Sequence, residues 1–246
     1  MTAPAIESVW IGEPAPRALV FLHEGLGSVA QWRDTPAAIA RATGLPAFVY
    51  SRGGYGRSAP ASVPRRLSYM HDEAAALPAI LAGAGISEPI LVGHSDGASI
   101  AIIAAGEGHV EPRALVLIAP HVFVEDISVQ SIAAARDAYE HGDLRERLAK
   151  YHADVDGAFW GWNRAWLDPG FRSWNLEAYL PRITAPTLVV QGSADQYGTL
   201  AQVRAIERQL AGPVETMLVE GAGHAPFRDA QDLVVTRIAQ FLEQQS

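Results

Sequence analysis

Cysteine is missing from all 246 residues of the chain. Its absence removes disulfides, thiolate catalysis and cysteine-based zinc sites together. Basic residues are also scarce: 19 Lys and Arg face 27 Asp and Glu, a net charge of −8. That balance argues against a nucleic-acid surface. No apolar run approaches the ~18 residues that a membrane span needs. The stretch Met1 to Pro16 shows no basic segment followed by an apolar core. No leader is therefore expected, and a cytoplasmic setting is the default. Repeats and low-complexity segments are lacking. Gly53-Gly54-Tyr55-Gly56 has neither the spacing nor the lysine of a phosphate loop. No cofactor and no metal are expected. The expected partner is a small molecule, with no nucleic acid and no membrane, and the oligomeric state stays open.

What the chain does have is core material. It is 49% hydrophobic and 19% charged, ordinary for a globular protein, and long enough to bury a full core. Short apolar runs at 8–12, 17–22, 46–51, 88–94, 114–119, 186–191 and 214–220 read as strands. Helical stretches at 29–43, 67–84, 96–106, 199–211 and 227–244 lie between or after them. This alternation predicts an α/β fold with a mostly parallel, doubly wound sheet.

The strongest local signal is Gly93-His94-Ser95-Asp96-Gly97, directly after Pro89-Ile90-Leu91-Val92 and directly before a helix-forming stretch. The spacing G-x-S-x-G at a strand-to-helix turn puts a serine on the apex of a sharp turn, its hydroxyl exposed. The helix start beside it offers free N–H groups and partial positive charge. A serine hydroxyl needs a base, and the base an orienting acid. Asp195 follows the β-branched run Thr187 to Val190, and His224 follows Val214 to Glu220 in a glycine-rich loop. Ser95, Asp195 and His224 thus each follow a strand, where ligands gather in open α/β sheets. Glu125 and Asp126, past the run Ala114 to Ile118, are rival acids. His71, His109, His141 and His152 lie in helical or polar stretches and read as surface or packing residues.

With these pieces the chain resembles a cap-bearing α/β-hydrolase over roughly its whole length. His23-Glu24-Gly25-Leu26-Gly27 resembles the family's His-Gly-x-x-Gly oxyanion loop, with Glu24 in place of Gly. Ser51-Arg52-Gly53-Gly54-Tyr55-Gly56-Arg57-Ser58 resembles its Asp-Arg-x-Gly-x-Gly-x-Ser turn, with Ser51 in place of Asp. The resemblance implies a Ser95–His224–Asp195 triad, with Asp195 the acid. It implies oxyanion donors at the Asp96 N–H and at Gly25 or Leu26. It further implies hydrolysis of a small, largely apolar ester, thioester or lactone through an acyl-enzyme. C–C bond hydrolysis on the same triad and a receptor with little turnover are the alternatives. A serine at the elbow speaks against haloalkane and epoxide chemistry, which use an aspartate there.

Residues 122–181 hold no strand signal. Helices are expected over Ser128–His141, Leu144–Val155 and around Gly157–Trp166, forming a cap inserted after strand 6. The core would then be 1–121 with 182–246. Trp160, Trp162, Trp166 and Trp174 fall in this stretch. Most must pack the short helices down. Trp160 and Trp162 are expected to reach substrate, as is Glu24. Asp96 and Glu24 flank the serine and would attract a cationic group if both faced the cleft.

Overall fold

The computed structural model describes residues 5–245. Residues 1–4, part of the stretch read for a leader, and residue 246 lie outside it. Seven strands form one sheet in the order β1-β3-β2-β4-β5-β6-β7. They are β1 (Ser8–Ile11), β2 (Arg17–Leu22), β3 (Ala47–Tyr50), β4 (Glu88–His94), β5 (Ala114–Ile118), β6 (Thr187–Gly192) and β7 (Val214–Val219). Only β1 runs antiparallel, against β3. The inner strands are buried almost end to end, as a parallel sheet covered on both faces requires. The edge strand β7 instead exposes Thr216 and Leu218 and buries only Val219 fully.

Helices cover both faces. On one side α2 (Tyr69–Gly83) and α3 (Asp96–Gly106) pack on alternate residues of the sheet. Met70, Ala74, Leu77 and Leu81 form the buried stripe of α2 at helical spacing. On the other side lie α1 (Thr35–Thr43) and α9 (Gln231–Glu243). The helix expected over 29–43 divides. Val29–Trp32 is a 3₁₀ turn, Arg33 has a positive φ of 55°, and α1 begins with Pro36 in its first turn. Proline is at home there because its missing N–H would be unpaired anyway. The helix expected over 227–244 likewise divides, at Ala230, into α8 (Pro226–Asp229) and α9.

Between β5 and β6 the described chain forms no strand of the sheet. It runs through α4 (Asp126–His141), α5 (Leu144–Leu148) and α6 (Val155–Leu167), then two 3₁₀ turns, Pro169–Ser173 and Glu177–Arg182. Counted along this chain the insertion follows the fifth strand, not the sixth, because β1 alone precedes the parallel set. The expected helix 144–155 is only five residues long. Asp154 ends the intervening loop by accepting the Gly157 N–H at 2.8 Å, which restarts the chain as α6. Aromatic stacking holds the insertion together: Tyr139 lies on Phe159 with ring centroids 3.7 Å apart, and Phe171 packs between Trp166 and Trp174. The last helix between strands, α7 (Leu200–Gln209), joins β6 to β7.

Candidate active site

The carboxyl ends of β2, β4, β5 and β6 converge on one cavity of about 520 Å³. Ser95 and His224 both border it. Ser95 sits between β4 and α3 with a positive φ of 53°, a conformation that non-glycine residues hold only under constraint. The flanking glycines are required by close approach rather than by their own φ. A Cβ on Gly97 would lie 2.0 Å from the carbonyl oxygen of Leu22, and one on Gly93 2.5 Å from that of Gly97. Both obstacles are backbone and cannot yield. The elbow is therefore tight because β2, β4 and α3 meet within van der Waals contact there.

His224 lies against Asp195, Nδ1 being 2.8 Å from Oδ2 and 2.9 Å from Oδ1. Asp195 in turn accepts from Gln191 Nε2 at 2.8 Å and from the Tyr197 N–H at 2.7 Å. Burial alone would push its carboxyl up. The hydrogen bond and charge of His224 and the Tyr197 N–H outweigh this and hold it below the usual range. The rival acids are engaged elsewhere. Glu125 accepts from Thr199 and Gln202 at the start of α7, and Asp126 pairs with Arg172 on the surface.

The N–H of Asp96 opens α3, and with those of Gly25 and Leu26 it donates to no group among the described residues. All three residues border the cavity. The loop carrying Gly25 is pinned from below by Arg52, which is fully buried and donates to the Glu24 carbonyl at 2.9 Å. Ser51, in that same turn, donates to Glu7 Oε2 at 2.7 Å and accepts the Val29 N–H at 2.9 Å. Glu7 thus brings to this turn the carboxylate that Ser51 lacks.

The two carboxylates beside the serine border the cavity but are already partnered. Asp96 accepts from Tyr69 Oη at 2.5 Å and from Trp166 Nε1 at 3.2 Å. Its burial raises the carboxyl above the usual range, against the opposing pull of Arg52 and these hydrogen bonds. Glu24 lies 3.5 Å from His94 Nδ1 and 3.5 Å from Arg228. Burial would raise its carboxyl, but His94 and Arg228 hold it far below the usual range. Neither carboxylate is a free anion awaiting a cation.

Of the tryptophans expected at the cavity, Trp162 is there and Trp160 is not. Trp160 packs on Tyr139 and Phe159 under Arg164, on the opposite side of α6. A helix turns about 100° per residue, so positions two apart face nearly opposite ways. The residue that shares the Trp162 face is Trp166, four positions on, and it does border the cavity. That spacing was the available signal. His121 and Tyr197 were also missed. They lie just past the ends of β5 and β6, where an open α/β sheet gathers its ligands. His152, expected as a surface or packing residue, is buried. It accepts the Gly56 N–H at 3.0 Å and bonds the Leu26 carbonyl at 2.9 Å.

This fold is that of an α/β hydrolase. A model of the alpha/beta hydrolase family matches residues 19–237, and the chain belongs to that family. A monoglyceride lipase homolog of monkeypox virus is 24% identical over 238 residues, covering 89% of this chain and 85% of its own. Among solved structures, the 2-hydroxy-6-oxo-6-phenylhexa-2,4-dienoate hydrolase of Rhodococcus sp. strain RHA1 superposes with a TM-score of 0.81 at 16% identity, covering 98% of this chain and 96% of its own. The enol-lactonase of Burkholderia xenovorans LB400 gives 0.76 at 19% identity, covering 98% and 97%. At such identities the structures speak for the fold alone.

Proposed function

We propose that the chain is a serine hydrolase that cleaves a small ester, thioester or lactone through an acyl-enzyme. One observation carries this reading: the imidazole of His224, seated on both oxygens of Asp195, opens on the same cavity as the strained Ser95. With Nδ1–H given to Asp195, Nε2 is left as the base. Ser95 Oγ attacks the acyl carbon and passes its proton to Nε2. The oxyanion accepts the N–H of Asp96 and that of Gly25 or Leu26. His224 then returns the proton to the leaving oxygen or sulfur. A water repeats the sequence in reverse and frees Ser95.

Residues 122–181 act as the cap and 1–121 with 182–246 as the core. C–C bond hydrolysis uses the same machinery, but a dienoate substrate is an anion. Glu24 and Asp229 line this cavity, and Arg228, the one arginine there among the described residues, is taken up by Glu24 and the Gln31 carbonyl. A neutral ester fits that wall better. The test is a fluorophosphonate probe. It should add mass at Ser95, and Ser95→Ala should abolish labelling. Modification at another residue with Ser95 untouched would overturn the reading.

A further inference from the structure

His121 is an imidazole at the cavity that the proposed reaction leaves unused; His94, which also borders it, is held by the His224 carbonyl at 2.8 Å. His121 stands at the end of β5, its ring centroid 5.6 Å from that of His224 and 5.4 Å from that of Trp166. It is 2% exposed. Its backbone carbonyl is fixed by Ser99 Oγ at 2.6 Å, so the ring is anchored from behind. Neither ring nitrogen has a hydrogen-bond partner among the described residues. Nδ1 is sealed against Gly198, while Nε2 keeps accessible surface on the cavity. A ring nitrogen that borders a cavity without a protein partner is free to bond a ligand there. Trp162 Nε1, at the Gly25 loop, likewise donates to no group among the described residues.

We propose that His121 Nε2 is a specificity-determining contact for an uncharged oxygen substituent, a hydroxyl, on the ester substrate. This rests on the ester-hydrolase reading above. Burial, with the neighbouring His224 charge, lowers His121 to about 3, so it meets the ligand as a neutral ring. A neutral imidazole can bond a hydroxyl but gives no charge to a carboxylate. The carboxylate of Asp229, which also borders the cavity, makes the same choice against anions. The substrate class is therefore a neutral hydroxylated ester rather than a plain alkyl ester or an acid.

The test compares ethyl butyrate with ethyl 3-hydroxybutyrate, which carries the hydroxyl on the acyl side, and with 2-hydroxyethyl butyrate, which carries it on the alcohol side. The wild type should favour one hydroxylated ester in kcat/KM. His121→Phe should lower that preference about 3- to 10-fold, the loss expected for one neutral hydrogen bond. His121→Gln, whose amide reaches where Nε2 stood, should restore part of it. The arm that loses its preference places the subsite on the acyl or alcohol side. Equal effects of His121→Phe on all three esters, or no recovery with Gln, would overturn the proposal. Binding of the same esters to Ser95→Ala, followed by calorimetry, separates the two readings. A hydroxyl preference that depends on His121 there supports the subsite even if no ester is turned over. A lack of preference overturns it even if Ser95 is the nucleophile.

Discussion

Trp162 stands where Gly25 would carry a side chain: a Cβ on Gly25 would lie 2.1 Å from its Nε1. The indole comes from α6 in the insertion, and Gly25 from the loop after β2. The absence of a side chain at one position therefore lets the insertion close on the loop that carries the proposed oxyanion donors.

Gly25→Ala should force these two apart. Overpacking a buried contact typically costs about 1–3 kcal/mol. We expect kcat/KM to fall by about 10-fold or more, with a change in tryptophan fluorescence. Trp162→Ala in the same chain should recover part of the loss, because it removes the obstacle. A double-mutant cycle measures the coupling, expected at about 0.5–3 kcal/mol. Additive losses would mean that Gly25 matters for its backbone alone.

Asp195→Asn should keep the fold and reduce kcat by about 10⁴-fold, since the amide no longer sets the tautomer of His224 or stabilises its protonated form. Asp126→Asn removes only a surface pair with Arg172 and should leave kcat unchanged. Steady-state kinetics on any turned-over ester, with circular dichroism as the folding control, decides between them. A nearly active Asp195→Asn would remove Asp195 from the mechanism.

The sequence carried the sheet and the three proposed reacting residues because both follow from local patterns. Buried parallel strands read as apolar runs, and the glycine-rich turns after them mark where the chain must bend sharply. What it concealed depends on tertiary approach. Trp160 looked as plausible as Trp162 until the direction of α6 was fixed, and only then did Trp166 join the cavity. His121 follows a strand as His224 does, but no glycine turn marks it. The partners of Asp96 and Glu24 are 27 to 204 residues away in the chain, beyond any local pattern. Helix lengths failed where the chain turns inside a stretch whose composition favours helix: at Arg33, at Ala230 and over residues 149–154 between α5 and α6.

Stability should fall on mild acidification. His23, His121 and His152 are all lowered from the ordinary value of 6.5, chiefly by burial. Below that value the unfolded chain takes up protons on these rings while the folded chain does not. The unfolded state then binds more protons, so stability decreases as pH falls, by up to about 1.4 kcal/mol per pH unit for each ring. The effect begins near pH 6.5 and for His121 continues to about 3. The depressed carboxylates Glu24 and Asp195 act in the same direction, but only below their ordinary values of 4.5 and 3.8. The raised carboxylates Asp96 and Glu73 act in the opposite direction above their ordinary values of 3.8 and 4.5. The histidine contribution is therefore read from the difference between wild type and variant in urea midpoints between about pH 6.5 and 5. His121→Phe should flatten the slope by about one proton.

The side chain of Asp96 gives the sharpest contrast with what its position suggests. Next to the serine and in a cavity, it invites a role in recognising a cation. Its Oδ2 is held by Tyr69 and its Oδ1 by Trp166, and it is 1% exposed. Trp166 also donates to Tyr69 Oη at 3.1 Å, so the three form a closed set that ties α6 to α2 and to the start of α3. A structural carboxylate of this kind predicts a uniform effect. Asp96→Asn keeps the N–H proposed for the oxyanion but leaves an amide N–H facing the Tyr69 or Trp166 donor. The mispairing should cost about 1–3 kcal/mol of stability, the usual price of an unsatisfied buried group. The kcat/KM values of amino-acid esters and of neutral esters of equal size should fall by the same factor. Thermal denaturation and a paired-substrate assay measure the two effects. A selective loss on the cationic esters, about 10-fold or more, would show instead that Asp96 binds substrate charge.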